Sequence, residues 1–171
     1  MAKSDIIIHN ACILTGDGRV HPKGFLHLKG SKIYAIGKSA PSKKPKGAVV
    51  IDAGGRYVMP GFINPHMHLY SSLARGISVG RMKNFGKILE GLWWKLDRAL
   101  TLEDVYVSAA VGGLASIKSG VTTLIDHHAS YGAISGSLGA ISEALSDVGI
   151  RASTCFELSD RCGDGARDEA V

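Results

Sequence analysis

Two histidines, His66 and His68, sit near the end of the string Val58-Met59-Pro60-Gly61-Phe62-Ile63-Asn64-Pro65-His66-Met67-His68-Leu69. Apolar residues open it and polar ones close it, as in a buried strand running out to a solvent-facing end. Side chains alternate faces along a strand, so both imidazoles point one way and Met67 the other. Two imidazoles on one face can share a divalent ion, zinc first and iron second. The polar C-terminal end of a parallel βα strand is also where barrel enzymes build their sites. The spacing equally fits two histidines lying on a half-exposed strand, and the pair by itself does not choose.

The elements that must position this pair differ along the chain. Residues 1–58 read as short strands broken by turns: Asp5 to Leu14, Gly24 to Leu28, Lys32 to Ile36 and Ala48 to Asp52, with turns at Gly16-Asp17-Gly18 and Lys29-Gly30-Ser31. Residues 59–171 alternate strand and helix. Met82, Phe85, Leu89, Leu92 and Leu96 fall at helical spacing. Thr101 and Asp104 form a capping box for a helix that Gly120 ends. Val121 to Asp126 is a buried-type strand, Ile134 to Val148 another helix stripe, and Ile150 to Leu158 a third strand. Strands alternating with helices of this length imply parallel βα units.

With these residues in order, the chain resembles the amidohydrolase superfamily over essentially its whole length. The Pro60-Gly61-Phe62-Ile63-Asn64-Pro65-His66-Met67-His68 string is similar to the first barrel strand of that family, and Ile51-Asp52-Ala53-Gly54-Gly55 to its approach. Leu73-Ala74-Arg75-Gly76 and Ser119-Gly120-Val121-Thr122-Thr123 with Asp126 resemble its aminohydrolase and chlorohydrolase branch. Trp93-Trp94, Asp126-His127-His128 and Ser159-Asp160-Arg161 are similar to aminohydrolases linked to selenium metabolism. The resemblance implies an α/β fold: the N-terminal part of a metal-dependent (β/α)8 barrel preceded by a small β-sandwich domain. Residues 1–58 would be the N-terminal half of a composite sandwich, and residues 59–171 the first three βα units.

It also implies that His66 and His68 are the first two metal ligands. A metal-activated water would then attack a cyclic amidine or amide at a non-peptide C–N bond. Chlorohydrolase or hydantoinase-like chemistry, or a non-catalytic piece lacking the remaining ligands, are the alternatives. Further ligands and the general acid and base are expected beyond residue 171. Asp97 aligns with an acidic residue that contacts substrate in nucleoside-type deaminases, although Asp is shorter than the usual Glu; a helix-end or surface carboxylate is the competing reading. His127 and His128 are adjacent, so only one can face the pocket, and His128 is named as substrate-binding against a packed or capped histidine. Asp126 is expected to be a structural hydrogen-bonding carboxylate, and Trp93 and Trp94 to pack in a core or lid. Cys155-Phe156-Glu157 stands where nucleoside deaminases carry an arginine, which argues against adenosine-like substrates.

Composition narrows the class. The 171 residues include 45% hydrophobic and 20% charged side chains, which excludes a disordered chain. A complete barrel takes ~250 residues, so 171 is expected to be part of one. No run approaches the ~18 apolar residues of a membrane span, and no signal-peptide pattern opens the chain. Net charge is +5, from 20 basic and 15 acidic residues, partly in Ser42-Lys43-Lys44-Pro45-Lys46. That cluster lacks interleaved aromatics and reads as a solvated loop, so no nucleic-acid partner is expected. Cys12, Cys155 and Cys162 show no C-x-x-C spacing, which points to reduced thiols and the cytoplasm, with Cys155 buried and inert. His9, His21 and His27 are expected at the surface. The partner is a small-molecule substrate, with a homo-oligomer expected at full length.

Overall fold

The computed structural model describes residues 5–159 and 161, which divide after Pro60 into two compact units. The first is a mixed sheet. Strands β1 (Ile6–Leu14), β2 (Val20–Lys29), β3 (Lys32–Gly37), β4 (Val49–Asp52) and β5 (Tyr57–Val58) are ordered β3-β2-β1-β4, with β5 also pairing β1. β4 and β5 run parallel to β1. The ladder between β1 and β2 slips after Ile8, where Asn10 takes a φ of 52°. Asparagine tolerates that left-handed conformation, and its Nδ2 donates to Asp52 Oδ1 at 3.0 Å. Ala11, Ile13, Leu26 and Ala53 form the core of this unit. His27, expected at the surface, is instead buried: it lies on the face of β2 opposite Leu26, 2.8 Å from Asp5 Oδ2, with its ring edge against Tyr34.

The second unit is built on three parallel strands, β6 (Phe62–Met67), β7 (Val121–His128) and β8 (Arg151–Phe156), in that order. A 3-10 turn at Leu69–Ser71 follows β6. Helix α3 (Leu102–Lys118) connects β6 to β7, and α4 (Ser137–Val148) connects β7 to β8, completing the βα alternation. Thr101 caps α3: its side chain accepts from the Asp104 amide while Asp104 accepts from the Thr101 amide. Gly120 and Gly149 close the two helices at φ of 81° and 85°, a conformation that costs other residues about 1–2 kcal/mol. Leu69, Val105, Ala109, Leu124, Ile141, Ala144, Leu145 and Ile150 make one core between helices and sheet.

The expected single helix through Met82 and Leu96 is broken. Asn84 caps a short α1 (Phe85–Ile88), a widened π-helical turn spans Leu89–Trp93, and α2 (Trp94–Ala99) follows. Met82 lies before the first turn and packs on Gly91, where an added Cβ would meet its Cε at 2.6 Å. The widened turn shifts the later side chains around the axis, so a 3.6-residue stripe does not carry through it. No single helix among the described residues is long and apolar enough to cross a membrane.

Candidate metal centre and pocket

His66 is the penultimate residue of β6, and His68 lies one residue past its end. Both are exposed, whereas Met67 between them packs on the core, so the alternation expected from the sequence holds. The two imidazoles meet edge to face with centroids 4.8 Å apart. An ion bound at ~2.0–2.1 Å from one nitrogen of each ring leaves the centroids ~5 Å apart, a separation that this pair matches.

Tautomer favours the same use. His68 Nδ1 is 2.8 Å from the His127 carbonyl oxygen. A carbonyl only accepts, so Nδ1 carries the proton and Nε2 is left with a free lone pair. A ligating histidine is ordinarily oriented in this way by the hydrogen bond of its other nitrogen. Among the described residues no third His, Cys, Asp or Glu joins the pair as a metal-binding group. The donor set therefore fits two positions of a divalent site.

Beside His68 opens a cleft of about 380 Å³, lined on one wall by Tyr70, Phe85, Leu89, Trp93 and Trp94. His127, Asp97, Glu157 and Arg161 supply its polar groups. Asp97 is not the surface carboxylate considered above: it is 1% exposed, and Arg161 Nη2 donates to its Oδ2 at 2.5 Å. The same nitrogen lies 2.9 Å from Glu157 Oε2. Burial pushes the Asp97 carboxyl up against the pull of the guanidinium. Its Oδ1 is buried with no hydrogen-bond partner among the described residues. The Arg161 guanidinium stacks 3.9 Å from the Tyr131 ring centroid and 5.2 Å from that of Trp94. Burial, with help from the carboxylates, raises Tyr70 to about 12, so its phenol stays protonated.

His127 and His128 part as adjacent strand residues must, but the pocket histidine is His127. His128 is fully buried on the opposite face of β7, its Nε2 2.8 Å from Ser130 Oγ and its ring against Phe156. Ser130 spends its own proton on the Ala133 carbonyl, so His128 Nε2 is the donor there, and Nδ1 has no partner among the described residues. Burial first, then the neighbouring His127, lowers its pKa to about 4. Asp126 is buried on that face as well and accepts from the Leu69 amide at 2.6 Å; burial raises it to about 6. Cys155, expected in a core, is exposed on the face it shares with His127. Cys162 and Asp160 lie outside the described residues.

Arg161 and Glu157 were not singled out as site residues from sequence. Their signal was position, just past the C-terminal end of β8, where parallel βα strands present functional groups. The strand arginine that the sequence lacks has a counterpart in the pocket all the same, because Arg161 brings a guanidinium there from beyond the strand.

The chain is similar to known proteins. The profile of the amidohydrolase family matches residues 57–171. The chain is similar to a 5'-deoxyadenosine deaminase of Methanobrevibacter smithii, 31% identical over all of this chain and 37% of that protein. A 5-methylthioadenosine/S-adenosylhomocysteine deaminase of Thermococcus sibiricus is 29% identical over 91% of this chain and 34% of its own length. Among solved structures, a triazine hydrolase of Arthrobacter aurescens superposes with a TM-score of 0.77 at 26% identity, over 95% of this chain and 39% of that one. Atrazine chlorohydrolase TrzN of the same organism, solved with zinc, gives 0.74 at 27% identity, over 92% and 37%. The chain thus spans between a third and two-fifths of these proteins, and matches their N-terminal part. It belongs to the amidohydrolase family.

Proposed function

We propose that this chain is the N-terminal part of a metal-dependent aminohydrolase acting on a non-peptide C–N bond of a cyclic amidine or amide, in a (β/α)8 barrel preceded by part of a composite β-sandwich domain. The observation that carries the reading is the His66–His68 ring pair, with His68 Nδ1 held by the His127 carbonyl. His66 and His68 would hold the cation, zinc by preference and iron as the second choice. When bound, such an ion supplies a water nucleophile near neutral pH by lowering the pKa of that water. The chain's own residues do the rest of the work available to them. The apolar wall of Phe85, Leu89, Trp93 and Trp94 excludes water and receives a flat ring. Asp97, through the Oδ1 that has no partner among the described residues, and His127 orient polar groups of the substrate. His128 serves by packing beneath the pocket, not by touching the substrate.

The relatives named above deaminate adenosine derivatives, which supports release of ammonia from a purine-type amidine. The triazine hydrolase and atrazine chlorohydrolase support loss of chloride from a triazine as the second reading. In the full-length protein, metal content and turnover of 5'-deoxyadenosine and atrazine distinguish these outcomes. His66→Ala with His68→Ala is expected to abolish both tight zinc and turnover. Full metal occupancy and turnover in that double variant would overturn the proposal, and chloride release without ammonia release would select the second reading.

A further inference from the structure

We propose that Asp126 and Ser108 are positioning residues for the metal ligand His68, acting together on the residue that follows it, Asp126 on the Leu69 N–H and Ser108 on the Leu69 carbonyl. The proposal rests on the metal-binding reading of His66 and His68. Pairing between β6 and β7 ends at Met67 opposite Asp126, and at His68 the chain leaves the strand with φ −127° and ψ 83°. The next residue, Leu69, is fully buried, so its amide has neither a ladder partner nor water. A buried backbone group left unpaired is costly, so something must satisfy it. Asp126 does so: its Oδ1 accepts from the Leu69 amide at 2.6 Å. The Leu69 carbonyl is met from the helix side, where the Ser108 hydroxyl of α3 donates to it at 2.6 Å. Ser72 adds a bond to that carbonyl from its hydroxyl at 2.9 Å.

Asp126 and Ser108 are both buried, and each belongs to a long element packed in the main core. The bend after His68 is therefore held by two rigid bodies. Meanwhile the residue after Asp126 contributes the carbonyl that holds the His68 ring. Two consecutive residues of β7 thus hold the ligand: a side chain from the buried face fixes the peptide after it, and a backbone oxygen fixes its imidazole. Rotating the His68–Leu69 peptide, or shifting the Leu69 backbone that anchors it, would swing His68 away from His66 even if every ligand remained present. Outer-shell partners of this type ordinarily cost 10–100-fold in metal affinity when removed.

The test compares Asp126→Asn, which keeps an acceptor oxygen, with Asp126→Ala, which removes it, in the full-length protein. Zinc affinity is read by chelator competition, and site geometry by the visible spectrum of the cobalt-substituted form. Asp126→Ala is expected to weaken zinc about 10–100-fold and to alter the cobalt bands, while Asp126→Asn stays within about threefold with the parent spectrum. If Asp126→Ala does not fold, Ser108→Ala decides. Ser72 still serves the carbonyl in that variant, so the fold survives, and zinc is expected to weaken severalfold with recovery in Ser108→Thr. Unchanged affinity and cobalt bands in a folded Asp126→Ala or Ser108→Ala variant would overturn the proposal. So would an Asn variant as impaired as the Ala variant. Failure of the underlying metal reading is distinguishable, because His66→Ala with His68→Ala would then leave zinc binding unchanged.

Discussion

His128 is a neutral imidazole sealed under the pocket floor, and that makes one stability prediction at the residue scale. Its pKa falls from 6.5 in an unfolded chain to about 4 in the fold, through burial and then His127. Between those values the unfolded state binds more protons than the folded one, so this residue's share of stability is complete above pH 6.5 and is lost as pH falls through 4. At 1.36 kcal/mol per unit, the loss amounts to about 3 kcal/mol at most. His128→Gln keeps a donor in reach of Ser130 and does not titrate. Urea unfolding of parent and variant between pH 7 and 4 is expected to show the parent losing that much relative to His128→Gln. The comparison is a difference, so other titrating groups cancel. A pH-independent difference would mean that His128 is not buried neutral.

At the scale of elements, Asp97 is delivered by α2, and α2 is held by the loop after β7. The Gly132 amide donates to the Asp97 carbonyl at 2.9 Å, and an added Cβ at Gly132 would run into the backbone carbonyl of Arg98. Backbone cannot rotate out of the way as a side chain can, so Gly132→Ala must push α2 and the loop apart. Overpacking of this kind costs about 1–3 kcal/mol. The expected outcome is a lowered melting temperature together with a raised KM and a smaller change in kcat, because Asp97 moves while the His pair does not. A KM equal to that of the parent in a destabilised variant would place Asp97 outside substrate binding. The widened turn at Leu89–Trp93 lies at the same scale, and Leu89 and Trp93 at its two ends both line the pocket.

For the molecule as a whole, the described residues leave much apolar surface uncovered. Phe62, Ile63 and Ile125 are exposed in the three-stranded sheet, and Val107, Val111, Leu114 and Ile117 form an exposed stripe along α3. Patches of this kind drive association, and β6 and β8 also present unpaired edges within their sheet. The 171-residue chain by itself is therefore expected to self-associate and to bind a hydrophobic dye, and to hold zinc weakly, since two imidazoles leave a tetrahedral ion half-ligated. Light scattering and metal analysis check both expectations. A sharp, cooperative melt of a monomer with one tight zinc would contradict them.

The sequence by itself determined what depends on local pattern. The His-x-His face, the Thr101–Asp104 cap, the glycine stops at 120 and 149 and the strand–helix alternation all follow from periodicity and capping chemistry, which act within a few residues. It also placed Asp126 as a structural acceptor, because a carboxylate ending a buried strand must find a donor. Tertiary structure decided whatever depends on which distant groups meet. It chose His127 over His128 for the pocket and buried Asp97 against an arginine 64 residues away in the chain. It paired His27 with Asp5 and left Cys155 exposed. Burial is set by what packs on a face, and strand alternation says only that two neighbours differ, not which of them meets the helices. The bend that aims His68 depends on the same meeting of distant parts, since Leu69 finds its partners on β7 and α3.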